Sequence, residues 1–517
     1  MKIWHKVLSV VCGLLVLPAL LWAGEAVRID TGAVRGTLEN GVRVYRGIPY
    51  AAPPVGDLRW RAPQPVKPWN TVLQCDKFCP SCPQPKYDPV GRTSEDCLYL
   101  NIWTQARERT EKLPVMVWIH GGAWTFGSGS LPRYNGSNLA QKGVVVVTLN
   151  YRLGPFGFLA HPLLNRESPM ETSGNYGFLD QIAALQWVQR NIAAFGGDPA
   201  KVTIFGESAG SISVNLHLVS PLSRGLFCRA VAESGGVYPF RALFPQNSGN
   251  PEQAFKMGER FAEVLKCDKT KDPIAAMRAK TTDEIMGAFA FSWGPGATGL
   301  AFVPVFDGKV LPGNPLEIIA RGEQLGVPLI MGSNRDDGSA FYPGMTPKQY
   351  QSWLQSLYPN AWSRVFSAFR ADKPQEVKPA FASFLTISMF SEPARFTVAS
   401  MAQKGVPAYL YQFARLPQTE GARKFGVYHG LEVDYVFGGL DKKPGYTQDD
   451  LALSQAVMNY WTNFAKNGNP NRPGLELWPA YQSERDENLE LDSPLKVNSR
   501  LWKTQSDLVE SLHYTGK

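Results

Sequence analysis

The chain has 517 residues, of which 44% are hydrophobic and only 19% are charged. Disordered tails, coiled coils and collagen-like chains need more skewed compositions, so these classes are excluded. The formal net charge is +8, but no cluster of basic residues stands out. Because nucleic-acid binding needs a concentrated basic face, we predict no nucleic-acid partner.

The first 26 residues are typical of a secretory signal peptide. A basic start precedes an uncharged apolar stretch over residues 7–23, which is broken by Pro18 and followed by small residues. This stretch is short for a membrane span, although an uncleaved anchor is the alternative interpretation. We predict a signal peptide over residues 1–26 and a single domain over 27–517. The protein is then exported, either periplasmic or secreted, with no membrane segment after cleavage.

Export changes the chemistry expected of the cysteines, because disulfides form in oxidising compartments. The six cysteines after the signal are Cys75, Cys79, Cys82, Cys97, Cys228 and Cys267. The first four lie close together in a segment rich in proline, which favours a loop closed by one or two bridges. Zinc is the competing interpretation, but the spacings of these four cysteines fit no standard structural site well.

Short, fully apolar runs recur along the chain, and helical patterns follow them. The runs occupy residues 115–119, 144–149, 201–205, 229–232, 327–331 and 408–413. This alternation predicts a parallel sheet covered by helices on both faces. A strand-and-turn region precedes the runs, and residues 251–290 and about 345–405 are predicted to be mainly helical. The expected fold class is α/β, with a large mixed but mostly parallel sheet, a small N-terminal β region and helical insertions.

A serine in a glycine-flanked turn indicates a nucleophile. Residues 201–210 read KVTIFGESAG, in which a predicted buried strand enters the turn and a helix-compatible run follows. This is the G-x-S-x-G nucleophile elbow in its strand–turn–helix context. The two glycines permit a sharp turn that exposes the Ser208 hydroxyl. A tight structural turn is the alternative.

A serine hydroxyl needs a general base, and one histidine is well placed to act as one. In this type of fold the acid and the histidine follow the serine in chain order. His120 and His161 precede the serine. His217 would lie on the helix that begins at the serine, and His513 is close to the end of the chain. His429, which follows the last predicted strand of the series, is therefore the predicted base.

An orienting acid is expected after the strand at residues 327–331. Two carboxylates, Asp336 and Asp337, follow each other there, and spacing alone does not separate them. The acid would hold the tautomer of the imidazole and stabilise the imidazolium.

A glycine-rich segment supplies a candidate oxyanion hole. The sequence HGGA at residues 120–123 directly follows the strand at 115–119. Small residues allow backbone N–H groups to approach a tetrahedral intermediate, and one such donor is typically worth about 3 kcal/mol. An ordinary glycine turn is the alternative.

With these residues identified, the sequence resembles the type-B carboxylesterase family, which includes cholinesterases and bacterial para-nitrobenzyl esterases. The resemblance covers nearly all of the chain after the signal and implies an α/β-hydrolase fold. It rests on collinear segments: GIPYAAPPVGDLRW (47–60), SEDCLYLNIW (94–103), PVMVWIHGGAW (114–124), NYRLGPFGFL (150–159), GNYGFLDQIAALQWVQRNIAAFGGDP (174–199), FGESAG (205–210) and HGLEVDYVFG (429–438).

The resemblance implies a role for each matched residue. Ser208 is the nucleophile and His429 the general base. The backbone amides of Gly122, Ala123 and Ala209 supply the oxyanion hole.

The acid departs from the usual pattern of the family. Its members usually have Glu where this chain has Asp337, which shortens the side chain by one methylene. The resemblance nevertheless favours Asp337 over Asp336. It also implies that Glu207, Ser234 and Glu432 are polar residues surrounding the catalytic groups.

The first disulfide loop of the family implies a bridge between Cys82 and Cys97. Cys75 and Cys79 are then an extra local pair or free, and whether Cys267 pairs with Cys228 is open.

Two further departures limit the substrate. The loop between residues 82 and 97 contains no Trp, so the residue that stacks on choline in cholinesterases is missing. Residues 297–301 lack the aromatic residues of the cholinesterase acyl pocket. We therefore predict that choline esters are not substrates and that the acyl pocket is roomier. Arg241 is a candidate for favouring an anionic acyl group, and a solvated surface arginine is its alternative.

The predicted activity is that of a carboxylesterase, which hydrolyses small to medium carboxylic esters through an acyl-enzyme intermediate. No cofactor and no metal are predicted. The competing functions are a non-catalytic binding module, because the family includes adhesion proteins with incomplete sites, and a lipase or polymer-ester hydrolase acting at an interface.

Overall fold

A mixed sheet of eleven strands forms the centre of the protein. The computed structural model describes residues 25–86, 89–237, 247–292, 297, 299–441 and 443–513. The strands, from one edge of the sheet to the other, are Lys496–Ser499 (β14), Glu487–Leu491 (β13), Ala408–Phe413 (β12), Leu329–Asn334 (β11), Arg229–Glu233 (β10), Gly197–Glu207 (β9), Leu113–Ile119 (β7), Val145–Leu149 (β8), Tyr99–Thr104 (β6), Val42–Pro49 (β4) and Thr37–Glu39 (β3). The seven strands from β13 to β8 are parallel, and the pairings outside them are antiparallel. The predicted sheet is confirmed.

The central strands are apolar throughout because both of their faces are covered. In β7, Val115, Val117 and Ile119 belong to the hydrophobic core on one face of the sheet. Met116 and Trp118 belong to the core on the opposite face. Successive side chains of a strand point to opposite faces, so a strand buried on both sides has no polar alternation.

Helices cover both faces of the sheet and form the predicted insertions. In chain order they are Ser137–Ala140 (α1), Gly154–Phe158 (α2), Pro162–Glu167 (α3), Tyr176–Asn191 (α4), Ala209–Val219 (α5), Pro251–Val264 (α6), Pro273–Arg278 (α7), Thr282–Ala288 (α8), Pro315–Ala320 (α9), Pro347–Leu357 (α10), Trp362–Ala368 (α11), Pro374–Leu385 (α12), Glu392–Gln403 (α13), Glu420–Phe425 (α14), Glu432–Phe437 (α15), Gln448–Asn467 (α16) and Lys503–His513 (α17). The two regions predicted to be mainly helical, 251–290 and about 345–405, contain α6–α8 and α10–α13.

The N-terminal β region is smaller than its strand pattern suggests. A separate sheet contains only Val27–Ile29 (β1), Gly32–Arg35 (β2) and Val72–Gln74 (β5). The other two N-terminal strands, β3 and β4, extend the large sheet, because β4 pairs with β6. Val42, Val44 and Ile48 of β4 are fully buried there.

A third cluster of buried apolar residues lies in the helical insertion at 347–391. It consists of α10, α11, α12 and a π-helix, Thr386–Ser391, and we call this unit the helical cap. Its core contains Tyr350, Trp353 and Phe381, and it extends to Met389 and Phe390. The cap therefore has a hydrophobic cluster distinct from those on the two faces of the sheet.

One disulfide joins Cys82 to Cys97, as the resemblance implied, with a Cα–Cα distance of 5.1 Å. The four other described cysteines are free: Cys75, Cys79, Cys228 and Cys267. The bridge is incompatible with a zinc site that uses all four cysteines of the proline-rich segment. Within the described ranges no group of three or more His, Cys, Asp or Glu residues is arranged to hold a metal ion.

None of the helices formed by the described residues has the length and apolar character needed to cross a membrane. The apolar stretch at 7–23, on which the predicted signal peptide rests, lies outside the described residues, and so does Arg241.

Candidate active site

Ser208 lies in a strained turn between strand β9 and helix α5. Its backbone has φ 58° and ψ −124°, a conformation that non-glycine residues rarely adopt. The flanking glycines are required by close packing. A Cβ on Gly210 would lie 2.0 Å from the carbonyl oxygen of Ile119, and one on Gly206 would lie 2.6 Å from the same oxygen. The sequence therefore forms the predicted elbow, with the serine at the start of a helix.

His429 contacts the serine and one of the two candidate acids. Its Nε2 is 2.8 Å from Ser208 Oγ, and its Nδ1 is 2.8 Å from Asp337 Oδ1. The three side chains are far apart in sequence and form one continuous hydrogen-bonded chain.

Asp336 and Asp337 have different partners. Asp337 is fully buried, and its second oxygen accepts from the backbone N–H of Asn334 at 2.6 Å. Asp336 instead accepts from the backbone N–H of Val427 at 2.8 Å, two residues before His429. The geometry thus separates two residues that sequence spacing could not, because Asp337 begins the 3₁₀ turn Asp337–Phe341 that directs it toward the histidine.

The surroundings of His429 favour its protonated form. The rings of Phe341 and Phe390 lie 5.0 and 4.9 Å from the imidazole, and only 13% of the side chain is exposed. Burial opposes a positive charge there. The carboxylates of Glu207 and Asp337 outweigh burial and raise the pKa of His429 above its ordinary value, to about 9.

Of the three predicted surrounding polar residues, Glu207 contacts the histidine, and Ser234 and Glu432 contact each other. Glu207 Oε1 is 3.2 Å from His429 Nε2. Ser234 Oγ donates to Glu432 Oε1 at 3.4 Å. Burial raises the pKa of Glu207 and, helped by the charge of Glu207, raises that of Glu432 to about 8. These buried carboxylates hold protons more tightly than carboxylates in water do.

Asn334 is a member of this cluster that the sequence did not indicate. Its side-chain amide donates to Glu432 and, at 2.8 Å, to the carbonyl oxygen of Tyr428, while its backbone binds Asp337. The sequence feature that could have indicated Asn334 is its position at the end of a buried strand, where polar residues commonly face a site.

The glycine-rich segment after β7 lies directly beside the serine. A Cβ on Gly121 would come within 2.9 Å of Ser208 Cβ, and one on Gly122 would lie 2.0 Å from the carbonyl oxygen of Phe126. Gly122 and Ala123 both have positive φ, at 105° and 53°. Their amide N–H groups donate to no acceptor among the described residues.

The third predicted oxyanion amide belongs to Ala209, the first residue of α5. The first N–H groups of a helix have no acceptor within the helix. Positive potential at a helix N-terminus also favours a negative oxygen nearby. All three predicted amides therefore belong to backbone that borders Ser208.

A cavity of about 210 Å³ opens over these groups. Most of its wall is apolar, and the helical cap supplies Met389 and Phe390. Phe291 is part of the wall, whereas Leu300 and Ala301, from the segment expected to form the acyl pocket, are buried in the core instead. These two residues therefore do not border the described part of the cavity, and the roomier acyl pocket stays a prediction.

One charged residue of the cavity, Arg133, was not anticipated from the sequence. Arg133, from the 3₁₀ turn Pro132–Tyr134, borders the cavity beside Glu207 and Gly430. No local pattern marks it, because its contacts are with residues about 300 positions later in the chain.

The other described histidines have structural surroundings. His120 stacks on Tyr151, and its pKa is lowered by burial to about 4. His161 accepts from the N–H of Leu163 at the start of α3. His217 is fully buried, with Nδ1 2.7 Å from Ser223 Oγ. Eliminating the other histidines by their positions in the sequence therefore selected the one that contacts the serine.

A sheet with parallel central strands, and with hydrogen-bonded Ser, His and Asp side chains at the ends of those strands, defines an α/β-hydrolase. The chain belongs to the carboxylesterase family, whose model matches residues 23–509. It is 38% identical over 488 residues to the para-nitrobenzyl esterase of Bacillus subtilis (strain 168), covering 92% of this chain and 96% of that protein.

Two further comparisons agree with this placement. The fumonisin B1 esterase of Sphingopyxis macrogoltabida is 36% identical over 478 residues, covering 88% of this chain and 84% of that protein. A solved para-nitrobenzyl esterase structure superimposes with a TM-score of 0.81 at 36% identity, covering 94% of this chain and all of that one. The protein is a carboxylesterase, a serine hydrolase that cleaves carboxylic esters through an acyl-enzyme intermediate.

Proposed function

We propose that Ser208, His429 and Asp337 are the catalytic residues of this esterase. The single observation that supports the assignment best is the unbroken hydrogen-bonded chain from Ser208 Oγ through the imidazole to the buried carboxylate of Asp337. Ser208 Oγ attacks the ester carbonyl while His429 Nε2 accepts its proton. Asp337 holds the Nδ1–H tautomer and stabilises the imidazolium that forms.

The tetrahedral oxyanion is stabilised by the amides of Gly122, Ala123 and Ala209. His429 then returns its proton to the departing alcohol oxygen, which leaves the acyl group on Ser208. A water molecule, deprotonated by His429, attacks this acyl-enzyme, and collapse of the second intermediate releases the acid. No step of this sequence uses a metal or cofactor.

We also propose that residues 1–26 are a signal peptide and that the mature protein is a single exported domain, periplasmic or secreted. The Cys82–Cys97 bridge supports this proposal, because disulfides persist in oxidising compartments. Its substrates are then small-molecule esters met outside the cytoplasm. A nucleic-acid partner has no support in the charge distribution.

A p-nitrophenyl ester series from acetate to decanoate tests the function and the site together. We expect the mature protein to hydrolyse the shorter esters and Ser208→Ala to reduce kcat by at least about 10⁴ while the protein remains folded by circular dichroism. The chain length with the highest kcat/KM measures the acyl side of the cavity. Equal activity of the two proteins would refute the assignment of Ser208. Activity that appears only above the solubility limit of the ester would indicate an interfacial lipase.

A further inference from the structure

Arg133 is the only Lys or Arg among the described residues that line the cavity above Ser208. It precedes Tyr134, lies 6.0 Å from the ring of that tyrosine, and has 33% of its side chain exposed. A guanidinium in a largely apolar cavity costs solvation energy, so its presence there calls for a functional explanation.

The hydrogen bonds of Arg133 leave part of the guanidinium unused. Nη2 donates to the carbonyl oxygen of Gly430 at 2.6 Å and lies 3.3 Å from Asp434 Oδ1. Nε is buried without an acceptor. Nη1 has no hydrogen-bond acceptor among the described residues and lies 3.9 Å from the position that a Cβ would occupy on Gly430. Because residue 430 is glycine and lines the cavity, that space is open to a ligand.

Three carboxyl groups act on the positive charge of Arg133, and each of them also has another partner: Asp434, Glu207 and Glu432. Its ion-pair partner Asp434 is shared with Lys443, whose Nζ lies 2.9 Å from the other carboxylate oxygen. One carboxylate thus faces two cations. An oxygen of Glu207 lies against His429, and Glu432 accepts from the side-chain amide of Asn334. Burial raises the pKa of both carboxyl groups.

The position of Arg133 identifies the part of the substrate that it would meet. Nη2 is bonded to the residue that directly follows His429. His429 delivers its proton to the departing alcohol, so groups beside His429 border the alcohol part of the ester.

We propose that Arg133 is a specificity-determining residue that binds a carboxylate carried by the alcohol part of the ester, through Nη1. The inference rests on the proposed function, because it uses the direction of proton transfer from His429. An N–H donor on a cation binds a carboxylate more strongly than a neutral donor does, and hydrogen bonds to charged groups commonly change affinities by about 10- to 100-fold.

Two phenyl acetates of nearly equal shape test this proposal. The acetate ester of 4-hydroxybenzoate has an anionic leaving group, and the acetate ester of 4-hydroxybenzamide has a neutral one. The measured quantity is the ratio of their kcat/KM values. Comparing this ratio between proteins cancels the intrinsic reactivity of each ester and any general loss of activity from the lost Gly430 contact.

We expect Arg133→Gln to lower the ratio by about tenfold or more and Arg133→Lys to restore part of it. Asp434→Asn removes the competing carboxylate and should raise the ratio. Added salt should weaken the preference of the wild-type protein for the anionic ester. Arg321→Gln, directly after α9 and with 53% of its side chain exposed, is the matched control and should leave the ratio unchanged.

An unchanged ratio in Arg133→Gln, with hydrolysis of the neutral ester still measurable, would overturn the inference and leave the esterase function intact. A second pair, p-nitrophenyl hydrogen succinate and its amide, carries the charge on the acyl part instead. If Arg133→Gln changed the ratio of kcat/KM only for this pair, the anion would bind on the acyl side and the inference would also be overturned. Failure of the proposed function has a different signature, because neither ester would then depend on Ser208.

Discussion

Two sets of groups that line the cavity beside Ser208 differ in chemistry, and we call them the backbone wall and the charged wall. The backbone wall consists of the amides of Gly122 and Ala123, which carry no side-chain charge. The charged wall consists of the side chains of Glu207, Arg133 and His429, and the two sets meet where Gly121 lies against Glu207. Backbone dipoles have the same strength at every pH, whereas side-chain charges respond to protonation and to the charge of a ligand. The first wall is therefore suited to stabilising the oxyanion, and the second to proton transfer and selection among esters.

The largest expected effect is that of replacing Asp337, the buried acid that contacts His429 of the charged wall. Asp337→Asn should lower kcat on p-nitrophenyl acetate by about 10³- to 10⁴-fold, because the amide cannot hold the productive tautomer of His429. The paired variant Asp336→Asn should cost much less, since Asp336 binds the backbone N–H of Val427 rather than the imidazole. A larger loss in Asp336→Asn than in Asp337→Asn would show that the acid is assigned to the wrong residue.

A second prediction addresses the backbone wall. Gly121→Ala places a methyl group 2.7 Å from the carbonyl oxygen of Glu207 and 2.9 Å from Ser208 Cβ, so the glycine-rich segment must shift. We expect kcat to fall by about 10²- to 10³-fold, the range found when an oxyanion donor is lost. The pH dependence should stay as in the wild-type protein, because no charge changes.

The matched control is Gly91→Ala. A Cβ on Gly91 would meet no atom within 4 Å, so kcat should be unaffected. Wild-type kcat in Gly121→Ala would contradict the assignment of this wall to the oxyanion.

The smallest predicted effect is a displacement of the pH profile by Glu207→Gln. His429 must be neutral to accept the serine proton, and its pKa is raised to about 9, so kcat/KM should fall as the pH drops below that value. Removing the negative charge of Glu207 lowers the pKa of His429 and should extend activity toward lower pH. Profiles of kcat/KM between pH 5 and 10 measure the displacement.

The exposed residue Glu263 provides the control, and Glu263→Gln should leave the profile in place. A profile of Glu207→Gln that moved toward higher pH would show that the carboxylate does not act on His429 through its charge.

The sequence predicted the parts of this site that local patterns encode. The elbow around Ser208 and the choice of His429 followed from strand–turn–helix context and chain order. The choice between Asp336 and Asp337 needed either the resemblance or the structure, since adjacent residues in a turn differ only in direction. Pairing of Cys82 with Cys97 likewise came from the resemblance.

The remaining features depend on contacts between distant segments. Arg133 meets Gly430 across 297 positions, and nothing in its local sequence marks such a contact. The region around residue 390 was predicted to be helical, but the π-helix that turns Met389 and Phe390 into the cavity was not. Strands β3 and β4 were assigned to an N-terminal β region, because pairing partners are set by the whole sheet rather than by each strand.

The helical cap has a consequence for the evolvability of the enzyme. Met389 and Phe390 belong to the hydrophobic cluster of the cap and line the cavity. Phe390 also lies 4.9 Å from the imidazole of His429, and the hydroxyl of Thr386 in the cap accepts from the backbone N–H of Gly338, directly after Asp337. Substitutions at residues in contact have coupled effects. A substitution at Phe390 that admits a new ester therefore also changes the surroundings of His429, so selection for a new substrate range acts on the cap and on the groups around Ser208 together.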